Sequence, residues 1–170
     1  AIASQAAIAI QNARLFSNVQ ELAIIDELTG LFNRRHFSEV ARIEFNRARR
    51  YKRALSAMMM DIDNFKNVND KYGHAVGDQV LAKTAETCKQ CLRETDTLGR
   101  YGGEEFVVLL AETGLTDAQI VGERIRKKIA ALVVDTDKGK LSVTISIGLA
   151  ETSELTPTLD TLITRADQAM

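Results

Sequence analysis

The sequence contains few cysteine, proline or aromatic residues and no tryptophan. Two cysteines, one proline and 5% aromatic residues occur among its 170 residues. The cysteines form one C-x-x-C pair, Cys88 and Cys91, with no second pair and no histidine nearby, which makes a poor zinc site. We therefore expect both cysteines to lie buried on a core helix.

The sequence also lacks a dominant charge and a long apolar run. The net charge is -1 and the sequence pI is about 6.2, so no overall positive field attracts nucleic acid or an anionic membrane. No apolar run of about 18 residues occurs, and the amino terminus lacks the charged-then-apolar order of a secretory signal. These absences predict a cytoplasmic chain with no membrane span and no nucleic-acid partner.

Apolar residues make up 45% of the sequence, which is enough for one packed core. We expect a short helix before the domain that contains this core. Within residues 1–25 a 4,3,4 spacing is typical of a coiled-coil seam, and its one polar residue, Asn12, favours a parallel pair. A helix packed on its own domain is the alternative, because so short a seam does not separate the two. The seam positions are Ile8, Asn12, Leu15, Val19 and Leu22.

The first half of the remaining chain alternates between helix and strand patterns. Apolar residues at helical spacing predict helices over 34–50 and 78–93, the second with Asp78 in a position to cap it. An apolar run over 55–60 predicts a buried strand that ends in a polar segment at Asp61.

The second half continues the alternation. Gly102-Gly103 lies between two strand patterns and can take the positive φ angles of a tight hairpin turn. A capping box at Thr116 predicts the start of the next helix, and Thr156-Pro157 predicts the start of the last one. The strand candidates here are residues 97–101, 104–110 and 141–149.

The order of elements from residue 55 onward is strand, helix, strand, strand, helix, strand and a final helix. It predicts an α+β fold with the β-α-β-β-α-β sheet of the ferredoxin-like or palm type. In that fold the first strand and the central hairpin can lie side by side. The Asp61 end of one and the Gly102-Gly103 turn of the other would then meet at one edge of the sheet.

Four carboxylates, Asp61, Asp63, Glu104 and Glu105, would crowd together at that edge. Carboxylates so close repel one another unless a cation lies between them. Oxygen ligands without histidine or thiolate favour Mg²⁺ or Mn²⁺ over zinc. Two such ions about 4 Å apart could activate an attacking hydroxyl and stabilise a leaving pyrophosphate. Spacing alone leaves open the alternative that the four acids are simply solvated.

Three motifs in this order make the sequence similar to the GGDEF family of diguanylate cyclases. Residues 100–106, R-Y-G-G-E-E-F, resemble the family signature in its G-G-E-E-F form. Residues 26–35 resemble the opening motif, D-x-L-T-G-L-x-N-R-R, and residues 61–78 resemble the metal and guanine segment. The likeness continues through S-I-G at 146–148 and R-A-D at 165–167, so it covers nearly the whole chain after the first helix.

The resemblance implies an enzyme that joins two GTP molecules into cyclic di-GMP, with two Mg²⁺ or Mn²⁺ ions in each active site. It implies that Asp61 and Glu104 ligate the ions together with the main-chain carbonyl of Ile62. Glu105 would assist the ions or help to deprotonate the ribose 3′-hydroxyl. Asp61, Glu104 and Glu105 are therefore the predicted catalytic residues.

The resemblance assigns guanine recognition to Asn69 and Asp78. A carboxylate can accept from both N1–H and the 2-amino group of guanine, whereas adenine offers no such donor pair. Two further segments would contact GTP: glycines against which the nucleotide can lie, and main-chain amides beside a lysine that face the phosphates. These other predicted GTP-binding residues are Asn64, Phe65, Lys66, Gly102 and Gly103.

One such domain holds one GTP, so the resemblance implies a homodimer in which each 3′-hydroxyl attacks the other nucleotide's α-phosphate. It also implies a product-inhibition site of the form R-x-x-D at Arg93 and Asp96, where a guanidinium and a carboxylate would bind cyclic di-GMP. In isolation the same pattern is more typical of a surface ion pair.

The domain organisation implied is a linker helix over 1–25 followed by a catalytic domain over 26–170. The helix resembles the last helix of a GAF sensor domain, which implies an upstream sensor domain in the same parent protein. The family continues past the final helix with an A-K-x-x-G-R-N segment whose lysine and arginine reach the triphosphate. The sequence ends at Met170 before that segment, so we expect this piece to bind GTP weakly or to be inactive as cut.

Two other functions fit parts of the pattern. A domain that has lost turnover could sense cyclic di-GMP through Arg93 and Asp96, although the intact G-G-E-E-F string argues against it. A nucleotidyl cyclase with another base preference is the third hypothesis, and Asp78 argues against that one.

Overall fold

The computed structural model describes residues 24–170, so the predicted coiled-coil seam at residues 8–22 lies outside the described residues. The pairing of that segment and its likeness to a sensor helix stay predictions. From residue 24 the chain forms a five-stranded sheet and a separate two-stranded hairpin. The strands are β1 (Phe32–Asn33), β2 (Leu55–Ile62), β3 (Thr97–Arg100), β4 (Glu105–Ala111), β5 (Val134–Thr136), β6 (Gly139–Leu141) and β7 (Ile145–Glu151). The helices are α1 (Arg34–Tyr51), α2 (Phe65–Tyr72), α3 (His74–Gln90), α4 (Leu115–Ala130) and α5 (Leu159–Gln168).

The sheet has the order β1-β3-β4-β2-β7, with β2 at its centre. β2 runs antiparallel to both β4 and β7, and β3 and β4 form the central hairpin. From β2 onward the order of the main elements is β-α-β-β-α-β, with helices packed on the sheet. This confirms the predicted α+β fold class.

Alternate residues of β2 belong to two separate cores. Met58 and Met60 pack with α3 and α4, whereas Ala57 and Met59 pack with α1 and α5. Burying a methionine side chain contributes roughly 1.5–3 kcal/mol. Because both faces are covered, β2 is a firmly held base for the residues at its carboxyl end.

The two cysteines lie in the first of these cores, as predicted. Cys88 is on α3 and Cys91 follows it, and both are buried free thiols. Burial, with a smaller contribution from Cys91, raises the pKa of Cys88 to about 12. Neither thiol is suited to react or to bind metal.

The predicted start of α3 is wrong. The helix begins at His74, directly after Gly73, whose φ of 88° and ψ of 159° break the chain away from α2. Asp78 therefore lies inside the helix and does not cap it. Gly73 forms a sharp junction between two helices, which the apolar spacing over 78–93 does not reveal.

The predicted starts of α4 and α5 also differ from the structure. The capping box at Thr116 does not form, because α4 begins at Leu115, whose amide donates to the Glu151 carboxylate at 2.9 Å. The last helix begins after Thr158, which accepts from the Thr161 amide at 3.1 Å, so Thr156-Pro157 precedes the helix. In the first case a residue far along the chain supplies the cap.

Two strand predictions need correction as well. The expected strand over 141–149 is interrupted, because β6 ends at Leu141 in a hairpin with β5 and β7 begins at Ile145 beside β2. Neither Gly102 nor Gly103 has a positive φ. The hairpin turn is closed by the amides of Tyr101 and Gly102, which donate to the Glu105 carbonyl at 2.8 and 3.3 Å.

Candidate active site

The carboxylate end of the sheet is set by strand register. Asp61, near the end of β2, pairs with Glu105 on β4 and with Ser146 on β7. The Ile62 amide donates to the Glu104 carbonyl at 3.4 Å. The predicted meeting of the Asp61 strand end with the G-G-E-E-F turn is therefore confirmed.

Negative charge accumulates at this strand end. Burial, followed by the charges of Glu104, Glu105 and Asp63, raises the pKa of Asp61 to about 6. Like charges directly opposite each other in a sheet are destabilising. The protein thus holds acidic groups together at an energetic cost, which a bound cation would remove.

Asp63 has a different role from the one expected of it. Its carboxylate accepts from the Thr144 hydroxyl and from the Ser146 hydroxyl, the latter at 2.6 Å. Its amide donates to the Thr144 carbonyl at 3.0 Å. Asp63 therefore fastens β7 beside β2, and its carboxylate is already occupied by these hydrogen bonds.

A cavity of about 470 Å³ lies between α2, α3 and the turn after β3. This volume is typical of a small-molecule site. The cavity joins the predicted guanine residues to Glu104 at the carboxylate end of the sheet. Its lining residues are Phe65, Lys66, Asn69, His74, Asp78, Leu81, Arg100, Gly103 and Glu104.

The wall of the cavity that carries the predicted guanine-binding residues is built from α2 and α3. Asp78 is exposed on the second turn of α3, with His74 one turn before it and Leu81 one turn after it on the same side. Asn69 is half-buried on α2. The Asp78 carboxylate does not cap the helix and is therefore available to a ligand. Leu81 provides an apolar contact for a base in the same cavity.

The predicted phosphate-facing segment lies at the amino end of α2. Phe65 and Lys66 line the cavity, whereas Asn64 does not. Asn64 takes a left-handed conformation, with φ 56°, immediately before the helix. The first amides of a helix have no partner within it, so this end of α2 is a favourable place for a phosphate.

The two glycines of the hairpin turn differ in their surroundings. Gly103 lines the cavity, and a Cβ added there would meet nothing within 4 Å. A Cβ added at Gly102 would lie 2.1 Å from Oε2 of Glu105. Gly103 therefore leaves open backbone for a ligand, whereas Gly102 makes room for the Glu105 carboxylate.

Arg100 ties this turn to the segment before β1. Its Nε and Nη2 donate to the Gly103 carbonyl at 3.2 and 2.7 Å, and its Nη1 donates to both Asp26 carboxylate oxygens at 3.1 and 3.0 Å. Burial by itself raises the pKa of Asp26, but hydrogen bonds from Thr29 and the Arg100 charge outweigh it and hold the pKa below its usual value. Asp26 is thus a fixed anion that orients Arg100.

Comparison with known proteins decides the family. The sequence model described as "Diguanylate cyclase, GGDEF domain" matches residues 23–170. This chain belongs to the GGDEF family. The match includes every residue of the cavity and of the carboxylate end of the sheet.

Individual GGDEF proteins are similar in sequence and in structure. Diguanylate cyclase A of Treponema denticola is 41% identical over 172 residues, covering 99% of this chain and 45% of that protein. Diguanylate cyclase SiaD of Pseudomonas aeruginosa, solved with its activator SiaC, has a TM-score of 0.82 at 38% identity, over 99% of this chain and 66% of that chain. The GGDEF domain of DgcB from Caulobacter crescentus, solved with c-di-GMP, has a TM-score of 0.82 at 28% identity. The match covers 86% of this chain and 84% of that chain. The chain thus spans less than half the length of its Treponema relative.

GGDEF diguanylate cyclases use divalent metal ions, and the donors at the carboxylate end fit such an ion. The predicted donors, Asp61, Glu104 and the Ile62 carbonyl, offer hard oxygen atoms. Burial first, and then the neighbouring acidic charges, raise the pKa of Asp61. Within residues 24–170, no group of three or more His, Cys, Asp or Glu side chains is arranged to hold an ion. The predicted donor set is compatible with this absence, because it consists of two carboxylates and one main-chain carbonyl.

The R-x-x-D segment lies at the opposite end of β3 from the G-G-E-E-F turn. The Arg93 amide donates to Oδ2 of Asp96 at 2.9 Å, while Oδ1 of Asp96 is buried without a partner in the described part of the chain. No ion pair joins the two side chains there, contrary to the surface-pair alternative. Arg93 and Asp96 border a cavity of about 460 Å³, and Arg124 lines a smaller one of about 240 Å³ with them.

Sequence reasoning assigned no role to four residues that the structure places at these sites. His74 and Leu81 could have been found, because they lie four residues before and three residues after Asp78 on one helix face. Arg100 and Arg124 gave no local signal, since their partners Asp26 and Cys91 are distant in sequence.

Proposed function

We propose that this chain is a diguanylate cyclase domain, which condenses two GTP molecules into cyclic di-GMP and two pyrophosphates. The observation that carries the proposal is the cavity that joins Asn69 and Asp78 to Glu104, beside the register pair of Asp61 and Glu105. A wall suited to guanine and a cluster of hard acids thus belong to one site. The names of its relatives, diguanylate cyclases among them, support the same activity.

In this proposal GTP lies with its base against α3 and its phosphates toward α2. Asp78 would accept from N1–H and the 2-amino group of guanine, and the Asn69 carboxamide would complete the base contacts. Lys66 and the amides of Asn64 and Phe65 would hold the phosphates. Gly103 would let the nucleotide lie against the turn, while Gly102 would act indirectly through Glu105.

Asp61, Glu104 and the Ile62 carbonyl would hold two ions of Mg²⁺ or Mn²⁺. When bound, such ions activate an attacking hydroxyl and stabilise a leaving pyrophosphate. Glu105 would assist the ions or take the proton of the ribose 3′-hydroxyl. In each half-reaction a bond forms between this oxygen and the α-phosphorus of the second GTP, the α–β phosphoanhydride bond breaks, and pyrophosphate leaves.

The reaction needs two copies of the site. A cavity of about 470 Å³ suits one nucleotide, so each copy would supply one GTP and the two sites would face each other in a homodimer. A coiled-coil pair over residues 8–22 would set that arrangement under the control of an upstream sensor domain. The domain division at residue 26 and the cytoplasmic location belong to this proposal. Among residues 24–170, no helix is both long and apolar enough to cross a bilayer.

Arg93 and Asp96 would form a product-inhibition site. Arg93 and Asp96 line one cavity of about 460 Å³, where the exposed Arg93 guanidinium and the Asp96 carboxylate would bind the product. The DgcB domain that resembles this chain is a complex with c-di-GMP. The alternative of a sensor without turnover has less support, because the acids and glycines of the active site are all in place.

Turnover of GTP by the full-length protein tests the proposal. With Mg²⁺ we expect cyclic di-GMP and pyrophosphate, and we expect Glu104→Gln to lower the rate by at least about a thousandfold because one ligand charge is lost. Circular dichroism should show that the variant is folded. Glu86→Gln, an exposed acid on α3, is the matched control and should keep full activity. No dinucleotide from the unaltered protein, together with tight binding of cyclic di-GMP, would favour the sensor instead.

A further inference from the structure

Gly77, one residue before Asp78, has no room for a side chain. A Cβ added there would lie 2.0 Å from Oδ1 of Asn69, 3.0 Å from its Cγ and 3.2 Å from Cζ of Phe65. Real Cβ contacts essentially never fall below 3.0 Å. Gly77 does not have a positive φ, so its backbone conformation suits any residue. What the position requires is space for Asn69.

The close approach follows from the junction between the two helices. Gly73 ends α2, and its amide donates to the Asn69 carbonyl at 2.8 Å. The Gly77 amide then donates to the Gly73 carbonyl at 3.2 Å, within the first turn of α3. The sharp junction turns α3 back beside α2, which brings the Asn69 carboxamide over the bare backbone of Gly77.

A glycine inside a helix needs a reason, because alanine would stabilise the helix more. Gly77 is buried at the end of the first turn of α3 and has no side chain that could pack against its neighbours. The atom that a Cβ would displace is the far end of a side chain. An alanine could therefore be accommodated by moving the Asn69 carboxamide, with the fold preserved.

We propose that Gly77 is a positioning residue for guanine recognition, which lets the Asn69 carboxamide lie against α3 beside Asp78. A methyl group at position 77 would displace the Asn69 carboxamide, and guanine would then be contacted by Asp78 without Asn69. The inference rests on the proposed function, which assigns Asn69 and Asp78 to guanine.

The test is a double-mutant cycle of Gly77→Ala and Asn69→Ala. Binding is measured by calorimetry with Mg²⁺ and 3′-deoxy-GTP, which lacks the attacking hydroxyl. Gly77→Ala is expected to weaken binding about tenfold, as Asn69→Ala does, and the double variant to bind no more weakly than Asn69→Ala alone. In turnover, Gly77→Ala raises the KM for GTP and leaves kcat within about twofold, while its Tm stays the same or rises.

The matched control is Gly122→Ala. Gly122 is also a buried helical glycine, but a Cβ there would make ordinary contact with Cε of Met58 at 3.4 Å and would touch no residue of the cavity. We expect unchanged affinity for 3′-deoxy-GTP in this variant.

Three outcomes overturn the inference: wild-type affinity in Gly77→Ala, a further loss when Gly77→Ala is added to Asn69→Ala, or a loss of kcat and Tm in place of a rise in KM. A separate outcome concerns the proposed function. If Asn69→Ala itself binds 3′-deoxy-GTP normally, the base assignment fails first and the inference fails with it.

Discussion

The two halves of the site are built in different ways. At the carboxylate end of the sheet, backbone register fixes Asp61 opposite Glu105, on a strand buried on both faces. In the cavity, the eight-residue helix α2 meets α3 at Gly73, and the Asn69 carboxamide lies where a side chain at position 77 would have to lie. The first half concentrates negative charge on a fixed backbone, whereas the second depends on close packing of side chains.

This difference predicts how each half fails. Substitutions at the sheet end should act through charge and affect kcat, because the backbone holds the geometry whatever the side chain. Substitutions on α2 and α3 should act through shape or through base contacts and affect KM. Arg100 connects the two, since it binds the turn at Gly103 and also borders the cavity.

The largest effect that separates the halves is expected from Asp78→Ala. Loss of two hydrogen bonds to a carboxylate should raise the KM for GTP roughly 100-fold and reduce discrimination against ATP. The kcat at saturating GTP should change little, because the acids of the sheet end remain. Steady-state kinetics with both nucleotides measure this. Asp70→Ala, an exposed acid on α2 outside the cavity, should behave like the unaltered protein, and a fall in kcat alone would contradict the division.

Arg100→Ala should damage both halves to a smaller extent. The Gly103 carbonyl and Asp26 each lose their hydrogen bonds from Arg100, so the turn loosens, kcat falls and KM rises, each about tenfold. Thermal unfolding should show a Tm lower by roughly 2–4 °C. Arg42→Ala, which removes an exposed cation on α1, is the control and should leave the kinetics and the Tm unchanged. Unchanged kinetics in Arg100→Ala would show that the hairpin turn keeps its conformation without the hydrogen bonds from Arg100.

The strain at the sheet end should appear as a pH dependence of stability in the metal-free protein. The pKa of Asp61 is about 6 against 3.8 ordinarily, so the folded state favours the protonated carboxyl. This contribution is fully present below about pH 4 and is lost as the pH rises through 6. At pH 8, Asp61→Asn should therefore unfold at a Tm roughly 2–4 °C higher than the unaltered protein, and the difference should shrink toward pH 4.

Asp63→Asn is the contrasting variant for that experiment. Its carboxylate accepts hydrogen bonds from Thr144 and Ser146, so its loss should lower the Tm at pH 8. If Asp61→Asn also lowered the Tm at pH 8, the acids at the strand end would not be repelling one another.

The smallest effect on the initial rate is expected from Arg93→Ala, which lies outside both halves. The variant should start at the normal rate but continue when cyclic di-GMP accumulates, because one ligand of the product is missing. Progress curves with added product measure this, with Arg50→Ala, an exposed cation on α1, as control. Persistent inhibition would show that the R-x-x-D segment is not the inhibitory site.

Sequence predicted the carboxylate end better than the cavity, for a physical reason. The continuous apolar runs before Asp61 and after Glu105 predict two buried strands, and the Gly102-Gly103 turn predicts where the hairpin closes. Together these signals place the acids at one end of the sheet. The roles of Gly77 and Gly102 depend on the three-dimensional placement of the Asn69 and Glu105 side chains, and the contact of Arg100 with Asp26 joins residues 74 positions apart, so no periodic pattern encodes them. The start of α4 failed in the same way, because its cap comes from Glu151, 36 residues beyond Leu115.

The central claim is that strand register brings Asp61 and Glu104 together as one cation site. Titration of the nucleotide-free protein with Mn²⁺, followed by electron paramagnetic resonance, tests it most directly. The account predicts that Asp61→Asn and Glu104→Gln each weaken Mn²⁺ binding at least about tenfold, while Asp63→Asn retains it. Equal Mn²⁺ affinity in all of these variants and the unaltered protein would contradict it.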